Sequence, residues 1–227
     1  MKKTGSISKT GNIIKILIII IFISLAAQIF FIPRMSREYT AEDLGINELS
    51  SPLDADGDGI DDWHDIMLGA RAYIGTGPKY KSSYYEGGYP TDGYGVCTDV
   101  IWNGFEAAGY DLKSLVDSHI AQYPELYDMD SPDPNIDFRR VKNLRVFFEN
   151  NAQSLETDLS DPEQWQPGDI VVFENHIAIC SDIRNSSGIP FIIHHDPLGA
   201  REANDLIKYD ILGHYRWLPE EENGAVS

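Results

Sequence analysis

Apolar and polar positions divide this chain into stretches of different rhythm. Residues 13–32 form an almost unbroken apolar run, interrupted only by Lys15, Ser24 and Gln28 and preceded by Lys2, Lys3 and Lys9. At about 1.5 Å per residue a helix of this length spans about 30 Å, so residues 1–37 read as an export signal long enough to remain as a membrane anchor. A cleaved signal peptide is the competing reading, because Leu25-Ala26-Ala27 offers small residues. Either way the basic N-terminus stays inside and the remainder faces outward. Residues 38–53 are polar without a sustained period and read as a stalk.

Helical spacing begins with Ile66, Met67, Ala70 and Tyr73. The Gly-, Tyr- and Pro-rich stretch 75–94 reads as loop. Val96, Val100, Ile101, Phe105 and Ala108 then trace one helical face, ended by Gly109, and Asp111 caps a second helix through Leu112, Leu115, Val116, His119 and Ile120. Val141, Leu144, Val146, Phe147 and Phe148 suggest a third, with Asp137 as its cap. After the turn signature Trp165-Gln166-Pro167-Gly168-Asp169 the period shortens, giving strands at 170–173, 176–182, 191–194 and 214–218.

Helices first and an antiparallel sheet after them indicate an α+β domain over residues 66–218, followed by an acidic tail at 219–227. Period two places His176, Ala178 and Cys180 on one strand face, whose small residues leave room for a helix, and Ile177 and Ile179 on the other. Cys180 lies about 13 Å along the strand from His176 and reads as a small buried residue under that helix.

Charge narrows the function. The chain carries 18 basic and 36 acidic side chains; the first 37 residues hold six basic and no acidic ones, leaving −24 on the rest. Such a surface repels phosphate backbones and attracts cations, which counts against a nucleic-acid partner. The two cysteines, Cys97 and Cys180, could pair outside the cytoplasm. Unpaired, Cys97 carries chemistry: it opens a helix, where free N–H groups and the helix dipole favour a thiolate. A histidine on a neighbouring strand, His176, could activate that sulfur for attack on a carbonyl.

The blocks Gly95-Val96-Cys97-Thr98-Asp99-Val100, Trp165-Gln166-Pro167-Gly168-Asp169-Ile170-Val171, His176-Ile177-Ala178-Ile179 and Ile192-Ile193-His194 resemble those of NlpC-type cysteine peptidases, the papain-like enzymes of bacterial cell walls. A closer resemblance is to the bacterial family termed domain of unknown function 1287. It extends to Asn135-Ile136-Asp137-Phe138-Arg139-Arg140-Val141 and to Gly213-His214-Tyr215-Arg216. The resemblance implies a papain-like fold and hydrolysis of an amide in a cell-wall peptide, or peptidoglycan, by a membrane-tethered or secreted enzyme. Carried over by position, it implies Cys97 as nucleophile, His176 as base and general acid, and His194 as the residue orienting His176.

His195 and Asp196 are rivals for that third role, although a one-residue step turns His195 to the opposite face. Tyr89 and Tyr94 are candidate oxyanion donors beside the Cys97 N–H. Asp99 is either a helix-start charge or a substrate ligand. Asp137 and Arg139, with Arg140, divide between capping and binding of a peptide carboxylate. Two other functions stay open: a catalytically silent wall-binding module of the same fold, and an acyltransferase. The cysteine-before-histidine order counts against the latter.

A second constellation is Asp54-Ala55-Asp56-Gly57-Asp58-Gly59-Ile60-Asp61-Asp62-Trp63-His64-Asp65. Carboxylates at relative positions 1, 3, 5, 9 and 12, with glycine at 6, match a calcium loop, in which position 7 offers its carbonyl. The expected ligands are Asp54, Asp56, Asp58, Ile60, Asp62 and Asp65, with calcium stiffening the junction of stalk and domain. The last position holds Asp65, where a longer glutamate is usual. The oxygen-rich spacing disfavours zinc on His64.

Overall fold

A computed structural model of the chain describes residues 37–219. The apolar run expected as an anchor and most of the acidic tail lie outside the described residues. Among the described residues no helix is long and apolar enough to cross a membrane.

The helical periods are realised as α2 (Asp62–Gly75), α3 (Cys97–Ala107), α4 (Leu112–Gln122) and α5 (Val141–Asn151), with a single turn, α1 (Ala41–Leu44), ahead of them. Asp61 caps α2 through the Trp63 N–H, and Asp111 caps α4 through the Ser114 N–H. Asp137 does not cap α5. It opens a 3-10 turn at Asp137–Arg139 and accepts the Asp133 N–H at 2.6 Å. The stretch read as loop contains a two-residue parallel pair, β1 (Lys79–Tyr80) and β2 (Tyr94–Gly95).

The C-terminal part forms one antiparallel sheet from β3 (Gln153–Ser154), β4 (Ile170–Val172), β5 (Ile177–Arg184), β6 (Pro190–Asp196), β7 (Gly199–Ala203) and β8 (Gly213–Arg216), in the order β3-β8-β4-β5-β6-β7. The fold is therefore α+β, with a predominantly helical first half and an antiparallel second half. The edge strand β7 has the sequence Gly-Ala-Arg-Glu-Ala and is half-buried throughout. Its pairing with β6, His194 opposite Arg201 and Asp196 opposite Gly199, holds it in place.

The helices cover the face of the sheet opposite to the one expected. Ile177, Ile179 and Ile193 join Ile66, Val100, Ile101, Phe105 and Phe148 in the main core. Ala178, Cys180 and Ile192 face away and are covered by Trp165, Phe173 and Leu206. The room for close approach is on the helices rather than on the strand. A Cβ at Gly104 of α3 would lie 2.6 Å from the Ile66 carbonyl oxygen and 3.0 Å from Ile179, and one at Gly69 would strike Ala107. Glycine on the helices thus accommodates isoleucine on the sheet, and each such buried side chain contributes about 1.5–3 kcal/mol. Cys180 is buried as expected, but under Trp165 and Leu206 and not under a helix.

The segment read as a stalk is docked instead. Thr40 and Asp43 close a capping box around α1, Tyr39 bridges to Arg184 at the end of β5, and Gln166 accepts the Leu49 N–H while donating to the Asn47 carbonyl. These contacts are backbone to backbone or side chain to backbone, so they leave no hydrophobic period in the sequence.

Candidate functional site

The start of α3 is built around one carboxylate. Val96, the residue before the helix, has no polar side chain, so only the reverse arm of a capping box exists: Asp99 accepts the Val96 N–H at 2.7 Å. Asp99 also accepts Trp102 Nε1 at 2.8 Å and a bidentate fork from Arg139, Nε and Nη2 each at 2.8 Å. Both partners are buried. Arg139 donates further to the Ser83 carbonyl, and Thr98 donates to the Arg139 carbonyl. Asp99 and Arg139, considered as substrate ligands, are therefore committed to each other and to the backbone around Cys97. Asp137 is likewise enclosed, by the Asp133 N–H and Asn143.

Tyr89 packs edge-on to Trp102 and against Phe138. It lines a groove of about 520 Å³ with Glu106, Tyr110 and Leu112, towards the far end of α3 from Cys97. Tyr73 and Tyr80 stand closer to Cys97: burial raises both, followed by Asp99 and, less, Cys97 for Tyr73, and by Cys97 for Tyr80.

Both cysteines are free thiols. They lie in the clusters on opposite faces of the sheet, which removes the disulfide reading. Cys97 is 7% exposed. Burial pushes its thiol up to about 11, more than the N–H groups of Ile177, Thr98 and Cys97 itself can offset. The helix N-terminus therefore does not produce a resting thiolate, contrary to the expectation from sequence. The Ile177 N–H can approach the sulfur because the paired register of β5 with β6 begins only at Ile179 opposite Ile193.

Next to Ile177 stands His176, half-buried against Phe173 and Tyr209. His176 Nε2 and His194 Nδ1 are 2.9 Å apart, so the sheet does bring these two rings together. Among the described residues no hydrogen bond reaches His176 Nδ1, and none joins His176 to Cys97. Burial, then the neighbouring His194, lowers His176 to about 4; burial and Arg201 lower His194 to about 4. Both imidazoles are neutral at neutral pH.

Asp205, absent from the candidates read in the sequence, places Oδ2 3.4 Å from His194 Nε2 and is held by Arg201 and Lys208. His195 points to the helix side, with Nδ1 3.4 Å from the Tyr73 hydroxyl and its ring edge-on to Tyr80. Asp196 is engaged by both Arg201 Nη atoms, at 2.6 and 2.8 Å, which holds it down at about 2. Neither rival makes the contact that His194 makes.

The blocks far from Cys97 form a buried scaffold. Asp169 accepts His214 Nε2 at 2.8 Å, Arg216 through Nε and Nη2, and the Gln166 N–H, while Trp165 stacks on His214 at 3.7 Å.

In the acidic loop, Asp54, Asp56 and Asp58 bring one carboxylate oxygen each within 4.8 Å of one another. Asp62 departs from the expected ligand set. Its oxygens accept the Ala55 N–H at 2.8 Å and the Tyr110 hydroxyl at 2.5 Å.

A family model described as a domain of unknown function (DUF1287) matches residues 67–217, from the first core helix to the end of the last strand. The Escherichia coli (strain K12) protein named "Uncharacterized protein YijF" is 35% identical over 165 residues, which cover 67% of this chain and 80% of that relative. No solved structure matches the chain. The match spans the start of α3, the paired histidines and the Asp169 scaffold together, and on it the chain belongs to the DUF1287 family.

Proposed function

We propose that the protein is an extracytoplasmic thiol hydrolase of papain-like layout that cleaves an amide bond in cell-wall peptides. One observation carries the reading: the sheet holds His176 Nε2 2.9 Å from His194 Nδ1, and the backbone N–H of the next residue, Ile177, is among the groups that act on the Cys97 thiol. The nearby Asp205 charge favours the His194 proton on Nε2. His194 Nδ1 is then an acceptor, the His176 proton resides on Nε2, and a lone pair remains on His176 Nδ1. Asp205 and His194 thus set the tautomer of the base, the role a carboxylate plays in other triads.

Cys97 belongs to the helix side of the sheet, and the His176–His194 pair packs with Phe173 and Tyr209 on the other. The thiol and His176 must therefore meet at the open start of β5, ahead of its first residue paired with β6, when substrate arrives. The sulfur attacks the amide carbon as its proton passes to His176 Nδ1, and the oxyanion takes donors such as the Cys97 N–H and the Tyr80 hydroxyl. Collapse expels the amine, protonated from Nδ1, and leaves a thioester. A water deprotonated by the same nitrogen cleaves the thioester and returns the proton to sulfur.

Incubation of the protein with purified wall fragments, followed by mass analysis, should show released peptides. A different observation favours the silent binding module: the thiol is buried and neutral at rest. Binding without cleavage on every wall chemotype would establish that alternative.

Two consequences of the histidine pair are measurable. The kcat/KM profile should rise with a midpoint near pH 4, where the pair takes up its first proton, rather than near 6.5. Stability follows with the same sign. Between about pH 4 and 6.5 the unfolded histidines bind protons that the native ones refuse, so the urea midpoint should fall as pH is lowered through that window. Removing the Asp205 charge lowers the His194 pKa further. Asp205→Asn should therefore cut kcat by about tenfold or more and move the acid limb to lower pH, whereas a merely structural role would leave the limb in place.

A further inference from the structure

The acidic loop contains an oxygen that the rest of the structure leaves without a purpose. Asp65 lies on the first turn of α2, is 6% exposed, and its Oδ2 is buried with no hydrogen-bond partner. A buried acceptor with no donor is costly, and a buried carboxylate more so. The charges that act on it are of the same sign: Asp58, Asp56, Asp54 and Asp62, in that order. Among the described residues no hydrogen-bond donor reaches this oxygen.

The neighbouring acids are already sorted by their bonds. Asp61 caps α2 and accepts the Ser51 N–H and His64; Asp62 holds Ala55 and Tyr110. Asp54, Asp56 and Asp58 remain, exposed, with oxygens converging within 4.8 Å. They accept only N–H groups of their own loop, which leaves further lone pairs on each.

We propose that Asp54, Asp56, Asp58, the Ile60 carbonyl and Asp65 form a calcium site that clamps the loop against the chain leaving the far end of α3. Calcium accepts six to eight oxygens in flexible geometry, so water completes the shell, and Asp62 is not a ligand. The clamp has a visible seat. A Cβ at Gly109, two residues past α3, would lie 3.1 Å from Asp56 Cβ, and the adjacent Tyr110 donates to Asp62. Occupancy would therefore be felt at residues 105–112, at the end of the helix that begins with Cys97.

The test needs no enzymatic readout. Calcium titrated into chelator-treated protein should bind one equivalent by calorimetry, and terbium in its place should luminesce on excitation of Trp63 inside the loop. At a hundredfold excess over Kd, calcium should raise the Tm by about 5–10 °C and slow amide exchange at residues 105–112. Asp58→Asn should abolish all of these.

Asp65→Asn separates a ligand from a structural acid. Without calcium it should raise the Tm, because it removes a repelled buried charge, and with calcium the shift should vanish. Absence of binding at millimolar calcium would overturn the proposal. So would calcium binding that survives both Asp58→Asn and Asp65→Asn. The result is independent of whether Cys97 hydrolyses anything.

Discussion

Alanine at Cys97 is expected to abolish peptide release, by more than about 10⁴-fold, while leaving the protein folded. In the proposed mechanism the sulfur forms the covalent bond, and no second thiol can replace it, since Cys180 is sealed on the other face of the sheet. The stability cost should stay near 1 kcal/mol, because the side chain is small and makes no hydrogen bond to another side chain. Kinetics and a urea titration on the same preparation check both halves. Alkylation rates give a further signature: with the thiol held up near 11, labelling by iodoacetamide should be slow at pH 7 and rise steeply towards pH 11.

The second large effect concerns Arg139. Arg139→Ala should cost about 3–5 kcal/mol, because it strands the Asp99 carboxylate, buried and charged, against the start of α3. Activity should fall with stability, since Asp99 fixes the Val96 N–H and hence the residue before Cys97. A double variant, Asp99→Leu with Arg139→Met, removes both charges and should recover much of the stability but not the activity. Urea midpoints of the single and double variants decide this. Equal losses for both would mean that the pair does not hold the helix start.

The sequence showed the main helices because each buries one apolar stripe: Val100, Ile101 and Phe105 in α3, Leu112, Val116 and Ile120 in α4. It showed β5 and β6, and from period two it separated His194 from His195 correctly. It misplaced the helix-bearing face of the sheet. Ala178 and Cys180 are small residues of the strand, whereas the close approach is made by Gly104 and Gly69 on the helices. Strand β7 was invisible because it is held by backbone pairing and carries no alternation.

The same physics explains the charged residues. Asp99 and Arg139 were singled out separately, yet nothing local tells that a bidentate pair will form across 40 positions. Asp205 gave no signal, because its role depends on an imidazole from β6 and on Arg201. The resting charge on Cys97 was misjudged for a related reason. Helix position is local and legible, but burial is set by the whole fold and dominates the thiol.

The proposed mechanism has Cys97 take an acyl group from a wall peptide with His176 as base. Its most direct measurement is an acid quench of the protein during turnover of wall peptides, followed by mass mapping of the fragment containing Cys97. An added acyl mass is expected on that residue in the wild type and none in Cys97→Ala. Turnover with an unmodified Cys97, or turnover that survives in Cys97→Ala, would contradict it.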